Sequence, residues 1–372
     1  MRVLMFNRKF IDHPAAGGAE VYTREVTRRW AAAGHDVTLF CSALGGTPDD
    51  RVVDGVRVVR RGGRFGVYRE ARRFYRTEGV GRYDLVVDGA NPRPFGCAAW
   101  VKDARVVALF HQVRREIWFH ELPLPVALLG RYVLEPRWLR RYQDVPALTV
   151  SPSSRDSLYE YGLRNVVVVP VGRDRVPRPE VPRERLPTIV FLGRLTWSKR
   201  PDHALAAVET LARQGFYAQL WYIGDGPLRH DLEKAADDCG LPVRFYGRVT
   251  DGMRDLLLAR AHALVVTSVR EGWGLVVDEA AAMGTPTVAY DCPGLRDSVP
   301  AAGGVLVDPH PAALATGLAR VLPGWVAEPS SHGWLGGAAD WDAVADAVLA
   351  AAIFHTTPAT GYVDSPVREA DS

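Results

Sequence analysis

The stretch ALVVTSVREGWGLVVDEAAAMGTPTVAY, residues 263–290, decides the fold. Its first residues, Ala263 to Thr267, form an apolar and β-branched run that predicts a buried strand. A loop with Glu271 follows, and the segment from Leu275 to Met283 predicts a helix because it contains no breaker. Gly284 has the position of the glycine that ends a helix, before another apolar run. The order is strand, loop, helix and strand, which is the repeating unit of a parallel α/β sheet.

The loop Gly272-Trp273-Gly274 predicts a binding site for an anion. A helix that starts at this loop has unpaired backbone N–H groups and the positive end of its dipole at the edge of the sheet. Glu271 and Glu279 lie on either side of that helix start, where carboxylates can accept hydrogen bonds from hydroxyl groups. The pattern predicts a phosphorylated, polyhydroxylated ligand, although a helix cap beside a solvated glutamate fits the loop equally well.

The composition narrows the class of protein. A chain of 372 residues exceeds what one hydrophobic core commonly supports, which predicts two domains. With 47% hydrophobic and 24% charged residues, the chain belongs to neither the disordered nor the fibrous classes. A formal charge of +3 argues against a nucleic acid partner. The start of the chain has no signal-peptide pattern and the four cysteines form no CxxC, so we expect a cytoplasmic protein without disulfides.

Both halves of the chain alternate strand and helix patterns without a long hairpin signal, which predicts a doubly wound parallel α/β domain in each half. The prolines between Pro177 and Pro187 predict a stiff connector between the domains. The predicted division is an N-terminal domain 1–172, a linker 173–187, a C-terminal domain 188–355 and a disordered tail 356–372. The strands predicted in the second half are Thr188–Leu192, Gln219–Ile223, Val243–Tyr246, Leu264–Thr267, Thr287–Tyr290 and Val305–Val307.

Two features of the first half have two interpretations each. Gly17 and Gly18 precede a helical pattern, where they allow a ligand or the partner domain to approach the backbone, or else form a plain turn. His111 follows the predicted strand Arg105–Phe110, so it lies at the ligand edge of the sheet or is a satisfied core histidine.

Two further stretches of the first half are candidates for a contact with a membrane or an acceptor. Residues Arg64 to Arg76 predict a helix with arginines largely on one side, which fits a membrane surface, an acidic acceptor or, more commonly, a solvated face. Residues Ile117 to Tyr142 are rich in Trp, Leu, Pro and Arg, and interior packing explains most stretches of this kind.

Arg194 and Lys199 follow the first predicted strand of the second half, and two cations at that edge fit a diphosphate. The loop Gly224 to Pro227 lacks the third glycine of a dinucleotide fingerprint, which argues against a dehydrogenase. The chain has one DxD sequence, Asp340 to Asp342, at a predicted helix start. We interpret its first aspartate as a helix cap and expect no metal site there.

These motifs together resemble one family. EGWGLVVDE, residues 271–279, resembles the Glu-x7-Glu signature of the family 4 retaining glycosyltransferases with the GT-B fold. GRLTWSKRPD (193–202), GDGP (224–227), YGRV (246–249) and GGAE (17–20) occur in the order and spacing of that family, so the likeness covers nearly the whole chain. Among the departures, a tryptophan at position 273 replaces the more common phenylalanine, and an aspartate at 278 occupies a helix position that is often apolar.

The resemblance implies two Rossmann-like domains that face each other across a cleft, with the acceptor in the N-terminal domain and the nucleotide sugar in the C-terminal domain. It implies that Glu271 binds hydroxyls of the donor sugar, that Glu279 binds the ribose, and that Arg248-Val249 borders the base. The implied catalytic residues are Glu271, His111, Arg194 and Lys199. The implied donor-binding residues are Gly17, Gly18, Arg194, Lys199, Arg248, Val249, Glu271, Gly272, Trp273, Gly274, Leu275 and Glu279.

The activity implied by the resemblance is transfer of a hexose from a UDP- or GDP-sugar to a hydroxyl of a glycan, a lipid-linked molecule or a small molecule. The configuration at the anomeric carbon is retained, and neither a metal nor another cofactor is expected. Two alternatives use the same scaffold. A nucleotide-sugar hydrolase or epimerase would use Glu271 and Glu279 as paired carboxylates, and a catalytically silent binder would bind the nucleotide sugar without turnover.

Overall fold

The computed structural model describes residues 1–46, 49–91, 93–173, 180–327 and 339–354. These residues form two Rossmann-like α/β domains, each built on a largely or wholly parallel sheet, which confirms the predicted fold class. Residues 174–179 of the predicted proline-rich linker and the whole predicted disordered tail lie outside the described residues.

The N-terminal sheet has eight strands within the described part of the chain. In spatial order they are Asp49–Val53, Val56–Arg60, Asp36–Cys41, Arg2–Phe6, Leu85–Gly89, Arg105–Phe110, Ala147–Thr149 and Val166–Val168. The first two form an antiparallel hairpin that the predicted all-parallel sheet did not include. Its turn is Asp54-Gly55, where both residues have positive φ angles, as a two-residue hairpin turn requires.

The C-terminal sheet is parallel and has six strands among the described residues. In spatial order they are Val243–Gly247, Gln219–Ile223, Thr188–Leu192, Ala263–Val266, Thr287–Tyr290 and Val305–Val307. Each predicted strand of this half is present with its ends within one residue. Continuous apolar runs marked these strands clearly because helices cover both faces of a parallel sheet.

Helices surround both sheets. Those of the N-terminal half are Gly18–Ala32, Val67–Phe74, Cys97–Trp100, Ile117–Glu121, Leu124–Leu129, Glu135–Leu139 and Pro152–Tyr159. Those of the C-terminal half are Pro201–Arg213, Arg229–Cys239, Asp251–Arg260, Leu275–Ala282, Leu295–Ala301, Pro311–Ala327 and Trp341–Phe354. Over the described part of the chain, none of the helices combines the length and the apolar character that crossing a bilayer requires.

The last helix, Trp341–Phe354, packs against the N-terminal domain rather than against the domain that precedes it in sequence. Val344 and Val348 are buried in the N-terminal core, and the indole nitrogen of Trp30 donates to the carbonyl oxygen of Ala345 at 2.9 Å. The predicted division placed this helix in the C-terminal domain and is wrong on this point, because the apolar face of the helix covers the N-terminal sheet. The other domain boundaries stay a prediction.

The start of that helix contains the DxD sequence. The Asp342 carboxylate lies 2.5 Å from Nε of Arg29, and the Asp340 carboxylate accepts a hydrogen bond from the backbone N–H of Asp342 at 3.1 Å. The side chain of Asp340 therefore binds a free N–H group at the helix start, as its interpretation as a helix cap requires.

Candidate active site

The carboxyl edges of the two sheets approach each other closely at Gly272 and His111. A Cβ atom on Gly272 would lie 2.5 Å from the carbonyl oxygen of His111, so a side chain at this position would force the two loops apart. The hydroxyl group of Ser154 lies 3.2 Å from the carbonyl oxygens of both residues and bridges them. Gly18 also faces the partner domain, because a Cβ atom there would lie 3.0 Å from Cδ1 of Leu275.

A buried arginine joins the two domains next to this edge. The guanidinium group of Arg270 is 5% exposed, contacts the Glu116 carboxylate at 2.9 Å and donates to the hydroxyl of Ser157 at 3.1 Å. Sequence reasoning did not identify Arg270, although it directly precedes Glu271. Because Arg270 is held from the opposite domain, the position of the Glu271 loop depends on domain closure.

A second set of hydrogen bonds holds the domains together. The hydroxyl group of Ser153 accepts from the backbone N–H of Gly294 at 2.7 Å and contacts the Asp297 carboxylate. The hydroxyl group of Ser198 donates to the Glu121 carboxylate at 2.7 Å. These contacts link residues that are far apart in sequence, so no local pattern could predict them.

Lys199 and Glu271 are in direct contact. The ammonium group of Lys199 and the hydroxyl group of Ser268 both bind Oε1 of Glu271, the hydroxyl at 2.6 Å. The loop with Lys199 is held in place because the hydroxyl group of Thr267 donates to the carbonyl oxygens of Lys199 and Arg200 at 2.8 and 2.7 Å. A cation and a carboxylate that were predicted separately therefore meet at one point of the sheet edge.

The helix Leu275–Ala282 begins at this point. Its N-cap residue is Gly274, whose φ of 98° is a left-handed conformation that glycine adopts readily. No side chain of the described residues caps this helix start, so its first N–H groups face the cleft. Nε1 of Trp273 donates to the Asp278 carboxylate at 2.6 Å, so the two departures from the family pattern form one contact.

Glu279 lies further along the same helix and forms an ion pair that the sequence did not predict. Its carboxylate accepts a hydrogen bond from Nη1 of Arg254 at 3.2 Å. Burial raises the pKa of Glu279, and the positive charge of Arg254 opposes that rise. Glu279 is the residue predicted to bind the ribose, and one of its carboxylate oxygens is thus already bound by Arg254.

His111 has both ring nitrogens buried and without a hydrogen-bond partner among the described residues. Its ring packs edge-on against Tyr22 with the centroids 5.1 Å apart. Burial lowers the pKa of His111 to about 4, so the imidazole is neutral near pH 7. The interpretation of His111 as a satisfied core histidine is wrong, since neither of its ring nitrogens has a hydrogen-bond partner in the described part of the chain.

The remaining predicted residues are Arg194, Arg248, Val249 and Gly17. Arg194 and Arg248 are exposed, and neither forms an ion pair within the described ranges. Val249 packs against the C-terminal core, next to Arg248 at the end of a strand. Gly17 is the N-cap of the helix Gly18–Ala32, and its N–H donates to the Glu20 carboxylate at 2.7 Å. The assigned roles of all these residues stay predictions.

Lys9 is a cation of the cleft that sequence reasoning missed. Its ammonium group donates to the carbonyl oxygen of Ala15 and lies 3.5 Å from the Glu20 carboxylate. Burial lowers the pKa of Lys9, and the positive charges of Arg8 and Arg194 lower it further. Lys9 follows the first strand of its domain as Arg194 follows the first strand of the other, so the same argument from strand ends would have found it.

In residues 1–46, 49–91, 93–173, 180–327 and 339–354, no three or more His, Cys, Asp or Glu side chains are grouped so that they could hold a metal ion.

Two family models match the chain. The model described as Glycosyltransferase Family 4 matches residues 16–175, and the model described as Glycosyl transferases group 1 matches residues 172–349. The two matches adjoin each other between the two sheets and together extend over nearly all of the described chain.

Curated relatives are also glycosyltransferases. A GDP-mannose-dependent alpha-(1-6)-phosphatidylinositol dimannoside mannosyltransferase of Mycobacterium tuberculosis is 27% identical over 349 residues, which cover 86% of this chain and 86% of the relative. A glycogen synthase of the same species is 27% identical over 339 residues, 80% of each chain. A 2-deoxystreptamine glucosyltransferase of Streptomyces kanamyceticus is 36% identical over 121 residues, 32% of this chain and 31% of the relative.

Solved structures share the whole fold. A sucrose-phosphate synthase from Thermosynechococcus elongatus has a TM-score of 0.76 and 20% identity, and the match covers 93% of this chain and 97% of that chain. WaaG, a glycosyltransferase involved in lipopolysaccharide biosynthesis, has a TM-score of 0.73 and 15% identity, with coverage of 95% and 100%. At these identities the likeness concerns the fold alone, and it confirms the two-domain GT-B architecture.

Proposed function

Since the chain belongs to the glycosyltransferases that join a family 4 domain to a group 1 domain and use nucleotide sugars, we propose that it transfers a hexose from a UDP- or GDP-sugar to an acceptor hydroxyl with retention of configuration. The observation that carries this proposal is the contact between Lys199 and Glu271 at the start of the helix Leu275–Ala282. A diphosphate and the sugar attached to it need a cation, free N–H groups and a carboxylate at one place.

The proposed chemistry follows from where charge develops. When the glycosyl–phosphate bond breaks, the diphosphate gains negative charge and the sugar gains positive charge. Lys199, Arg194 and the N–H groups of Gly272 to Leu275 stabilise the diphosphate, because groups that are already oriented need no rearrangement in the transition state. Glu271 leaves Lys199 in part and binds donor hydroxyls, while Ser268 keeps its carboxylate oriented.

His111 supplies a neutral imidazole on the acceptor side. Its two ring nitrogens have no partner among the described residues, so they are available to a sugar hydroxyl, one as donor and one as acceptor. The acceptor oxygen attacks on the face that the leaving group departs from, where a departing phosphate oxygen can take up its proton. The donor's anomeric configuration is thereby kept.

Metal independence is part of the proposal. The positive charges of Lys199 and Arg194 and the helix start take the place that a divalent cation has in other nucleotide-sugar sites. Turnover in excess EDTA should equal turnover with added Mg²⁺. A rate that falls in EDTA and returns with Mg²⁺ would contradict this part.

The donor is tested with a panel of nucleotide sugars. One relative is named as GDP-mannose-dependent, so GDP-mannose comes first in the panel, followed by UDP-glucose, UDP-galactose and UDP-N-acetylglucosamine. We expect one of them to raise the melting temperature of the protein, and Lys199→Gln to reduce that rise. If none raises it, the proposal fails.

The same panel separates the alternatives. Turnover with the best donor is then measured with and without lipid and small-molecule acceptors. The transferase proposal expects product only with an acceptor. Release or isomerisation of the sugar without any acceptor identifies a hydrolase or epimerase, and binding without turnover identifies a silent binder.

We also propose a peripheral contact with the inner face of a membrane through residues Arg64 to Arg76. The side chains of Arg69 and Arg73 are 87% and 76% exposed, and Phe65 next to them is 82% exposed. Liposomes with anionic lipid should retain the protein at low salt and release it at high salt. An absence of retention at low salt would contradict the contact.

A further inference from the structure

Three arginines follow three neighbouring strands of the N-terminal sheet. The strands Arg2–Phe6, Leu85–Gly89 and Arg105–Phe110 lie side by side in that order. Arg8, Arg93 and Arg114 come two, four and four residues after them. Because parallel strands end at one edge of a sheet, the three guanidinium groups converge in the domain that the proposed function assigns to the acceptor.

Tyr68 lies among the three arginines. The guanidinium group of Arg93 lies over its ring, 4.6 Å from the centroid. Burial raises the pKa of Tyr68, while the positive charges of Arg8, Arg93 and Arg114 act to lower it. Its hydroxyl group forms no hydrogen bond with the described residues, so the cluster offers a hydroxyl and three cations to a ligand.

Among the described residues, only one arginine of this cluster forms an ion pair. The Glu121 carboxylate contacts Arg114 at 2.8 Å, whereas Arg8 and Arg93 have no carboxylate partner in the described part of the chain. Nε of Arg8 is buried and has no hydrogen-bond partner there either. A buried donor without a partner is unfavourable unless a ligand accepts its hydrogen bond.

Among the described residues, the nearby Asp88 forms no ion pair with an arginine of the cluster, because other groups occupy its oxygens. Asp88 accepts hydrogen bonds from the backbone N–H groups of Phe95, Gly96 and Cys97 at 2.8, 3.0 and 3.0 Å, and it also contacts the hydroxyl group of Tyr142. This carboxylate therefore holds the loop after its own strand rather than an arginine of the cluster.

The cluster adjoins the proposed donor site at two places. Arg8 precedes Lys9, whose ammonium group is affected by the charge of Arg194 in the opposite domain. Glu121, which binds Arg114, also accepts the hydrogen bond of Ser198 beside Lys199. An anionic group held by the arginines would thus lie on the acceptor side of the cleft, next to the donor diphosphate.

We infer that Arg8, Arg93 and Arg114, with the hydroxyl group of Tyr68, bind a phosphate group of the acceptor. Guanidinium groups bind phosphate oxygens in pairs, and a phosphate in this place gives Arg8 and Arg93 the anionic partner that the described residues do not provide. This inference rests on the proposed transferase function and adds the chemical class of its acceptor. The phosphate belongs to a sugar phosphate or to a phospholipid headgroup, since both present the same oxygens.

The first experiment measures binding of inorganic phosphate to the full chain by isothermal titration calorimetry, with GDP or UDP at saturation to fill the donor site. We expect the wild type and the control Arg82→Gln to bind phosphate, and Arg8→Gln and Arg93→Gln to bind it at least tenfold more weakly. Arg82 is a suitable control because it is exposed in the same domain, before the strand Leu85–Gly89 rather than after it. Equal affinity in all four proteins, or no binding to the wild type, would overturn the inference.

The second experiment identifies the source of the phosphate. Transfer is compared between mannose and mannose 6-phosphate, and with vesicles that contain phosphatidylinositol. Arg8→Gln should raise the KM of the phosphorylated acceptor at least tenfold and leave the KM of mannose unchanged; an equal effect on both sugars contradicts the inference. The acceptor for which the wild type has the lower KM, mannose 6-phosphate or the vesicles, shows whether the phosphate belongs to a sugar phosphate or to a phospholipid.

The two proposals fail in different ways. If no nucleotide binds, the proposed function fails, and the phosphate titration is scored without nucleotide from the difference between the wild type and Arg8→Gln. If nucleotide binds and phosphate does not, only the inference about the acceptor fails.

Discussion

The two facing sheet edges differ in how their polar groups are bound. At the C-terminal edge the protein itself provides partners for Glu271, Glu279 and Trp273, namely Lys199, Arg254 and Asp278. At the N-terminal edge His111 and Arg8 have buried nitrogens without a partner among the described residues. The polar groups of the C-terminal edge are thus oriented before any ligand binds. The N-terminal edge has hydrogen-bonding groups that are available to a ligand.

This difference indicates how the work is divided between the domains. Groups that stabilise a departing diphosphate act best when they are already oriented, so internal ion pairs suit the donor side. A buried polar group without a partner is unfavourable in the free protein and becomes favourable only with a ligand of matching shape. Under the proposed function, the unpartnered edge is the one that selects the acceptor. The following changes test this division, beginning with the largest expected effect.

Lys199→Gln should have the largest effect on catalysis. It removes the cation that contacts Glu271, so the departing diphosphate loses charge stabilisation. We expect kcat to fall about 100- to 1,000-fold, an effect of about 3 to 4 kcal/mol on the barrier. Steady-state kinetics with the best donor measures it. The matched control is Lys234→Gln, which changes an exposed lysine on the helix Arg229–Cys239 and should leave kcat unchanged. If both variants lose kcat to the same extent, the C-terminal edge is not the oriented catalytic side.

Gly272→Ala should have the next largest effect, because it acts on the contact between the two edges. The added methyl group would lie 2.5 Å from the carbonyl oxygen of His111, so the domains must separate slightly. A misplacement of about 1 Å can cost up to 100-fold in rate, and we expect kcat/KM to fall about 10- to 100-fold while the nucleotide still binds.

Gly252→Ala is the control for that change. A methyl group there meets no atom within 4 Å, so its kcat/KM should equal that of the wild type. Unchanged kcat/KM in Gly272→Ala would show that the close approach of the two edges is not required for transfer.

A smaller effect concerns pH and compares one histidine of each domain. Burial lowers the pKa of both His111 and His262 to about 4, and Nδ1 of His262 accepts a hydrogen bond from the N–H of Thr188 at 3.0 Å. Below pH 6.5 the unfolded chain binds protons that the folded protein excludes, so stability is complete above pH 6.5 and falls as the pH drops. For each histidine, the free energy of unfolding should fall by about 2 kcal/mol when the pH drops from 7 to 5.

Urea unfolding of His111→Phe at both pH values tests this expectation. The variant should lose about 2 kcal/mol less stability than the wild type on going from pH 7 to pH 5. The control His230→Gln, an exposed histidine, should behave as the wild type does. Equal losses in His111→Phe and the wild type would mean that His111 is not held neutral at the N-terminal edge.

The sequence predicted the C-terminal edge better than the N-terminal edge for a physical reason. Strands that are buried on both faces form continuous apolar runs, and the chemical groups of that edge lie in short motifs directly after them. The Asp54-Gly55 hairpin also had a local signal, an Asp-Gly pair between two extended segments. The position of the last helix had no such signal, because its apolar face does not specify which core it covers.

The contacts across the cleft could not be predicted from the sequence in the same way. Arg270 and Glu116 are separated by 154 positions, and Ser153 and Asp297 by 144. The arginine cluster is similar, since Arg8, Arg93 and Arg114 each belong to a different loop and meet only through the order of the strands. The spacing of a motif predicts contacts within one loop, whereas these sites form only because the strand order brings separate loops together.

Arg254→Gln should have the smallest effect of the series. Without Arg254 nothing opposes the burial that raises the pKa of Glu279, so a larger share of that carboxylate is protonated and its bond to a ribose hydroxyl weakens. We expect the KM of the donor to rise about fivefold, or about 1 kcal/mol, with kcat unchanged and with a larger rise at pH 6 than at pH 8. Initial rates at both pH values measure this change in KM. The control is Arg213→Gln, which removes an exposed ion pair with Glu209 on the helix Pro201–Arg213. If the KM is unaffected, or rises equally at both pH values, the ion pair between Arg254 and Glu279 only stabilises the fold. In that case, only Lys199 and Glu271 of the C-terminal edge are oriented for the donor.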